Sequence, residues 1–303
     1  MQLLNDQTKS ANQHSLKSER KSERKSERMK SMKKLISIIL AVAVIFALNI
    51  TAFAGGFITD ESAMSTGAKA DPPYAAAADD NAILKENKAY ELYANSTRTI
   101  YSVSVTPVRQ IVGYYCGPAS SYILLKTLGI NVQSTTRYLY FFCADESNSN
   151  CPYPYVDHTH YKSYTSPQIT LADSMGTDYN GTGMSSMKTV INNRQSIHDY
   201  SLTRVPSNVN QANSLKTKLM STFDANSPCI LWVEARLLNE YSGHDFGGHY
   251  ILANSLNTTS NTIGIVDPNY YTHISTTYTE SVNTVLNAIW DNGYGGNIIW
   301  CSD

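Results

Sequence analysis

Residues 110–121 read QIVGYYCGPASS, a pattern that sets a cysteine where a helix begins. Pro118 lies two residues inside that start, where its missing N–H costs nothing. Ala119, Tyr122, Ile123, Leu124, Leu125 and Leu128 continue a largely apolar helix that stops at Gly129, a residue suited to the position just past a helix end. The positive end of a helix macrodipole favours thiolate over thiol, and thiolate is the nucleophilic form of cysteine. Cys116 is therefore a candidate nucleophile. A buried structural cysteine on a core helix would give the same local pattern, so its partners must decide between the two.

A thiol nucleophile needs a base, and the base needs a third group to orient it. Of the seven histidines, His14 sits in a polar tail, and His198 and His273 in polar, turn-like surroundings. His158 and His160 form an H-x-H in a loop, half of a metal site with no matching cluster elsewhere, so neither metal nor cofactor is expected. His249 differs, because it follows Gly247 and Gly248 and opens the apolar strand HYILANS. The next strand, TIGIVDP, carries Asp267 near its end. A hairpin centred on Thr258 sets His249 directly opposite Asp267, and such cross-strand neighbours have Cβ atoms about 4.5–5.5 Å apart. A bulge would move this register. His244, in the polar loop just before, is the fallback base. An oxyanion hole needs preorganised donors: the Cys116 backbone N–H is one, and the side-chain amide of Gln110, six residues upstream, offers a second.

Together Gln110, YYCGPAS at 114–120, GGHYILANS at 247–255 and IVDPN at 265–269 resemble the peptidase C39-like branch of the papain-like cysteine peptidases. In that family an oxyanion Gln precedes Cys-Gly-Pro-Ala, a His then opens a strand, and Asp-Pro ends the next. The order and the six-residue Gln–Cys step match, and the Cys–His separation of 133 residues falls in the range of papain itself. The resemblance covers roughly 99–301. It implies a papain-like fold with the site in a cleft between a helical part and a sheet, and Cys116, His249, Asp267 and Gln110 as catalytic residues. The best-known members are fused to a transporter and cut leader peptides at double-glycine sites. No transporter segments or nucleotide-binding motif occur here, so that role is unsupported.

The chain has 303 residues, 24 basic against 25 acidic. This near-neutral balance gives no reason to expect a nucleic acid as partner. Residues 1–31 are polar and basic, with KSER three times between Lys17 and Arg28. Lacking an apolar face, this extension is expected to be disordered; each repeat carries a Glu that dilutes a nucleic-acid-binding reading, and a start at Met29 or Met32 would omit it. Residues 32–54 read as a secretory signal peptide: Lys33 and Lys34, an apolar run over 35–48, then Ala52-Phe53-Ala54 with cleavage after Ala54. The competing reading is an uncleaved anchor. The protein is thus expected outside the cell or at the cell wall, touching the membrane only during export. Residues 55–98 are a linker or short pro-segment, with room for a helix over 80–94.

Residues 99–303 are expected to form one α+β domain. Strands are expected at 100–106, 229–235, 249–255, 262–266 and 297–301, and helices behind Cys116, near 184–193 and over 210–224. The stretch 143–183 reads as loop-rich. Five cysteines leave one over after pairing; with Cys116 as that one, Cys143–Cys151 would close a short loop and Cys229–Cys301 would link two strands, whereas few disulfides in the exporting organism would leave all five reduced. The expected function is a secreted peptidase acting on peptide or protein substrates. Two alternatives remain open: a cell-wall peptide amidase or acyl transferase using the same residues, and a non-catalytic wall-binding module.

Overall fold

A computed structural model describes residues 68–69, 80–142, 159–205, 210–244, 246–290 and 296–302. The basic extension, the signal peptide, the Cys143–Cys151 pairing and His158 lie outside them. Within them the fold is α+β, six helices with a largely antiparallel sheet, consistent with a papain-like peptidase fold.

The sheet is built around the apolar runs near the C-terminus. Strand β7 (Cys229–Glu234) is CILWVE and is buried along nearly its whole length. Successive side chains on a strand point to opposite faces, so Cys229, Leu231 and Val233 enter one core while Ile230 and Trp232 enter another. A sheet covered on both faces needs such an uninterrupted apolar strand. Next to it runs β8 (Gly248–Asn257), then β9 (Thr262–Val266) and β10 (Thr277–Ser281). On the other side of β7 lie β11 (Asn297–Trp300) and β6 (Ser201–Arg204), while β2 (Ile100–Ser102) pairs with the far end of β8. One face carries α5 (Gln211–Asp224), through Leu215, Leu219 and Phe223, and α6 (Val282–Trp290), through Val285, Leu286 and Ile289. The opposite face carries α2 (Cys116–Thr127), α3 (Pro167–Met175) and α4 (Met184–Arg194).

Several expectations need correction. The loop-rich stretch contains the hairpin partner β4 (Thr159–Ser166) of β3 (Thr135–Phe142), and then α3. Ser166 caps α3 by accepting from the Gln168 N–H, Pro167 occupies its first turn, and Gly176 ends it in the left-handed region. That combination is readable helix punctuation. The C-terminal third, where only strands are expected above, also holds a helix, because Val282, Val285, Leu286 and Ile289 recur at helical spacing and form α6. Cys229 and Cys301 are not bridged. The register that pairs Ile299 with Ile230 continues with Trp300 opposite Cys229. Cys301 falls on the other face, in the other core.

Upstream of the sheet, the anticipated helix is α1 (Asp80–Tyr93), which packs against α5. Glu86 of α1 forms an ion pair with Lys218 of α5, whose side chain is fully buried. Lys218 also donates to Ser214 at 2.7 Å and lies 5.5 Å from the Trp300 ring centroid. Further upstream, β1 (Ala68–Lys69) pairs in parallel with β5 (Thr182–Gly183) and neighbours β8.

Candidate active site

The start of α2 lacks a side-chain cap: Tyr115 at the N-cap makes no side-chain hydrogen bond, and no acidic residue stands in the first turn. The positive end of the helix is therefore not offset locally. Cys116 sits there, fully buried. Gly117 is required by packing, since a Cβ at that position would come within 2.7 Å of the Thr182 side chain. Ser120 donates to the Tyr250 carbonyl at 3.2 Å, and Tyr250 donates its O–H to the Thr182 carbonyl at 2.8 Å. These bonds tie the cysteine helix to the strand residue just after His249.

His249 and Asp267 are both fully buried, and His249 Nε2 lies 2.7 Å from Asp267 Oδ1. The hairpin reaches this contact by a different register from the expected one. Leu252 pairs with Val266, so Asp267 stands against Ile251 and reaches His249 diagonally. The turn lies later than Thr258, and a bulge between Ala253 and Ser255 takes up one residue. The net shift of two keeps both side chains on one face, whereas a shift of one would have separated them. Cys116 is close enough to His249 to raise its basicity.

Burial alone would drive the His249 imidazole toward its neutral form. The Asp267 charge and hydrogen bond oppose that, followed by the influence of Cys116, and the balance pushes His249 up to about 10. Opposite charge outweighing desolvation is the expected result for a histidine held between a carboxylate and a thiol.

Gln110 is also brought in, 3 % exposed. Its backbone N–H donates to the Pro268 carbonyl at 2.6 Å, one residue past Asp267, and its side-chain Nε2 donates to the Gly113 carbonyl at 2.6 Å. A primary amide has two N–H donors, so the Gly113 bond orients the group and leaves the second. Gln110 Oε1 is buried and accepts nothing among the described residues.

Sequence reasoning missed the residues that hold these groups. Gln168 grips both sides of Gln110, accepting from the Ile111 N–H at 3.1 Å and donating to the Arg109 carbonyl at 2.8 Å. The Arg109 guanidinium donates to the carbonyls of Asn269, Tyr271 and Ile274, tying the Gln110 loop to the segment after Asp267. Tyr241, Asn269 and Tyr278 all hydrogen-bond Asp267. Only the capping pattern before α3 hinted at Gln168. The others come from distant elements with no shared motif. His244, the fallback base, is exposed and stacks on His273 with 4.8 Å between ring centroids.

The arrangement can bind a thiol proton, hold an imidazolium and offer N–H donors beside a sulfur, which is the equipment of acyl transfer through a thioester. No curated protein matches the chain. The profile of the Peptidase_C39 like family matches residues 102–296, a span that contains every residue just described. With well over half of its length matched, the chain belongs to the Peptidase_C39 like family, a family of cysteine peptidases by its name.

Proposed function

We propose that the protein is a secreted cysteine peptidase that hydrolyses peptide bonds through Cys116, His249 and Asp267, with Gln110 in the oxyanion hole. The observation that carries this reading is the fully buried His249–Asp267 pair, with the buried Cys116 at the start of α2 near enough to act on the His249 imidazole. His249 takes the thiol proton and Cys116 Sγ attacks the amide carbonyl carbon. The Cys116 N–H and the second Gln110 N–H stabilise the oxyanion. His249 then gives its proton to the leaving nitrogen as the C–N bond breaks, leaving a thioester. Water, deprotonated by His249, attacks that thioester, the C–S bond breaks, and the thiol is restored. Asp267 fixes the tautomer and supports the imidazolium. The family match and the A-x-A segment ending at Ala54 support a peptidase that meets its peptide or protein substrates after export.

The test is alkylation of Cys116 by iodoacetamide across a pH series, read by mass spectrometry, together with hydrolysis of fluorescein-labelled casein. Labelling that persists well below pH 8 and is lost in His249→Ala is expected. Cys116→Ala and His249→Ala abolish hydrolysis, and Asp267→Ala slows it. Undiminished hydrolysis by Cys116→Ala would refute the reading.

A further inference from the structure

We propose that Tyr241 and Tyr278 are positioning residues of the same reaction: their two phenol O–H groups hold the Asp267 carboxylate so that Oδ1 alone faces His249. The inference rests on the reading above and adds the means by which the third member of the site keeps its orientation.

Asp267 is fully buried. An ionised carboxylate has about four acceptor sites, and here each is filled from a different part of the fold. Oδ1 accepts from His249 Nε2 at 2.7 Å and from the Asn269 N–H at 2.8 Å. Oδ2 accepts from the Tyr241 hydroxyl at 2.9 Å and the Tyr278 hydroxyl at 2.8 Å. The direction at Tyr241 is fixed, because its oxygen already accepts from Asn269 Nδ2 at 2.6 Å. Its single proton therefore goes to Asp267.

Each phenol is placed by structure independent of the other. Tyr241 ends the short 3-10 turn Asn239–Tyr241, and its ring packs edge-on against His249 (6.0 Å between centroids) and Phe246 (5.4 Å). It thus touches both the imidazole and the carboxylate. Tyr278 comes from β10. Asp267 extends β9, with its N–H bonded to the Thr276 carbonyl at 2.9 Å, and Tyr278 lies two residues beyond Thr276 on the same face. That is the diagonal cross-strand position, within reach of a long aromatic side chain. Burial first, then the Asp267 charge, pushes both phenols well above their ordinary range, so they stay protonated donors.

The other charged or titratable groups around Asp267 are accounted for. His249 and Cys116 belong to the reaction. Glu280 is turned to the Asn239 and Glu240 N–H groups and Asn239 Nδ2, and the Arg109 guanidinium is spent on backbone carbonyls. No cation among these contacts neutralises Asp267 apart from His249. The phenols therefore stabilise the carboxylate without competing with the imidazolium for its charge. Without these donors the Asp267 carboxylate is no longer held with Oδ1 on His249, and the imidazolium loses part of its support.

The test is the pH profile of Cys116 alkylation by iodoacetamide in the full chain, for the wild type, Tyr241→Phe, Tyr278→Phe and His249→Ala. Phenylalanine keeps the ring packing and removes only the hydroxyl. The acid limb of the labelling rate is expected to move to higher pH by about one unit for each phenol lost, with a thermal midpoint lowered by several degrees because a buried carboxylate loses a donor. Limbs that coincide with the wild type in both variants would overturn the proposal, even with lowered melting temperatures, because stability loss alone does not move a limb. Tyr278 is the more accessible of the two and decides the matter if Tyr241→Phe does not fold. A wild type whose profile equals that of His249→Ala refutes the functional reading itself, and the positioning proposal with it, an outcome distinct from unmoved limbs on an intact wild-type profile.

Discussion

Replacing Gln168 by alanine should separate two reactions that share the Cys116 sulfur. The change removes the acceptor for the Ile111 N–H and the donor to the Arg109 carbonyl. Each backbone group left unpaired costs about 1–3 kcal/mol when buried. Arg109 and Ile111 are half-buried, so about 1–2 kcal/mol apiece is the better figure, and about 2–4 kcal/mol together. The loop then holds Gln110 less firmly. Deleting an oxyanion donor outright costs about 10²- to 10³-fold, and a displacement near 1 Å about 10²-fold. Acylation of Cys116 by p-nitrophenyl acetate, followed as released p-nitrophenolate, passes through an oxyanion and should slow by about 10- to 100-fold. Iodoacetamide alkylates the same sulfur by direct displacement with no oxyanion, and its rate should hold within about threefold. Gln110→Ala sets the ceiling for the acylation effect. If Gln168→Ala slows both reagents by one factor, or neither, the clamp has no part in orienting Gln110.

Three further outcomes are expected. Because folding raises His249 from 6.5 to about 10, the stability it contributes is fully present below pH 6.5 and is lost as pH rises through about 10. Urea midpoints should fall across that window, flatten in His249→Gln, and keep most of their slope in Cys116→Ala, since Asp267 is the larger raising influence. Glu86→Gln should destabilise by about 1–3 kcal/mol in urea denaturation, below the usual range for a broken buried pair because Glu86 is 29 % exposed and Ser214 still bonds Lys218. Lys218→Met should cost less than Glu86→Gln, and the reverse order would show that the pair itself stabilises the fold. Gly117→Ala forces a methyl against Thr182; an overpacking cost of about 1–3 kcal/mol and slower acylation of Cys116 are expected, and wild-type values in both assays would contradict the close approach of α2 to β5.

What the sequence made legible was local. The Cys116 helix, its stop at Gly129 and the β8–β9 hairpin each carry their signal within a single short stretch of chain, and the structure has all three. The His249–Asp267 contact was inferred from a simple turn, and it survives because the later turn and the bulge together shift the register by an even number. The α3 helix was legible in its Ser166, Pro167 and Gly176 but is hidden among polar neighbours. Gln168, Tyr241 and Tyr278 were not legible. Their value lies in backbone groups and a carboxylate that are between 11 and 59 residues away along the chain, and nothing local in a lone Gln or Tyr records such a partner.

The burial of the Cys116 sulfur has a kinetic consequence. With the cysteine and His249 at 0 % exposure, no electrophile reaches the nucleophile in the resting arrangement. Every reaction at that sulfur therefore draws on a rarer opened form, and its rate is an opening equilibrium multiplied by an intrinsic rate. Each 1.4 kcal/mol needed for opening lowers all such rates about tenfold. Small electrophiles that differ widely in inherent reactivity would be slowed by one shared factor, and mild denaturant would accelerate them in parallel. A polypeptide substrate can escape that shared factor, since whatever it binds on the way in can supply the opening free energy that a two-carbon reagent cannot.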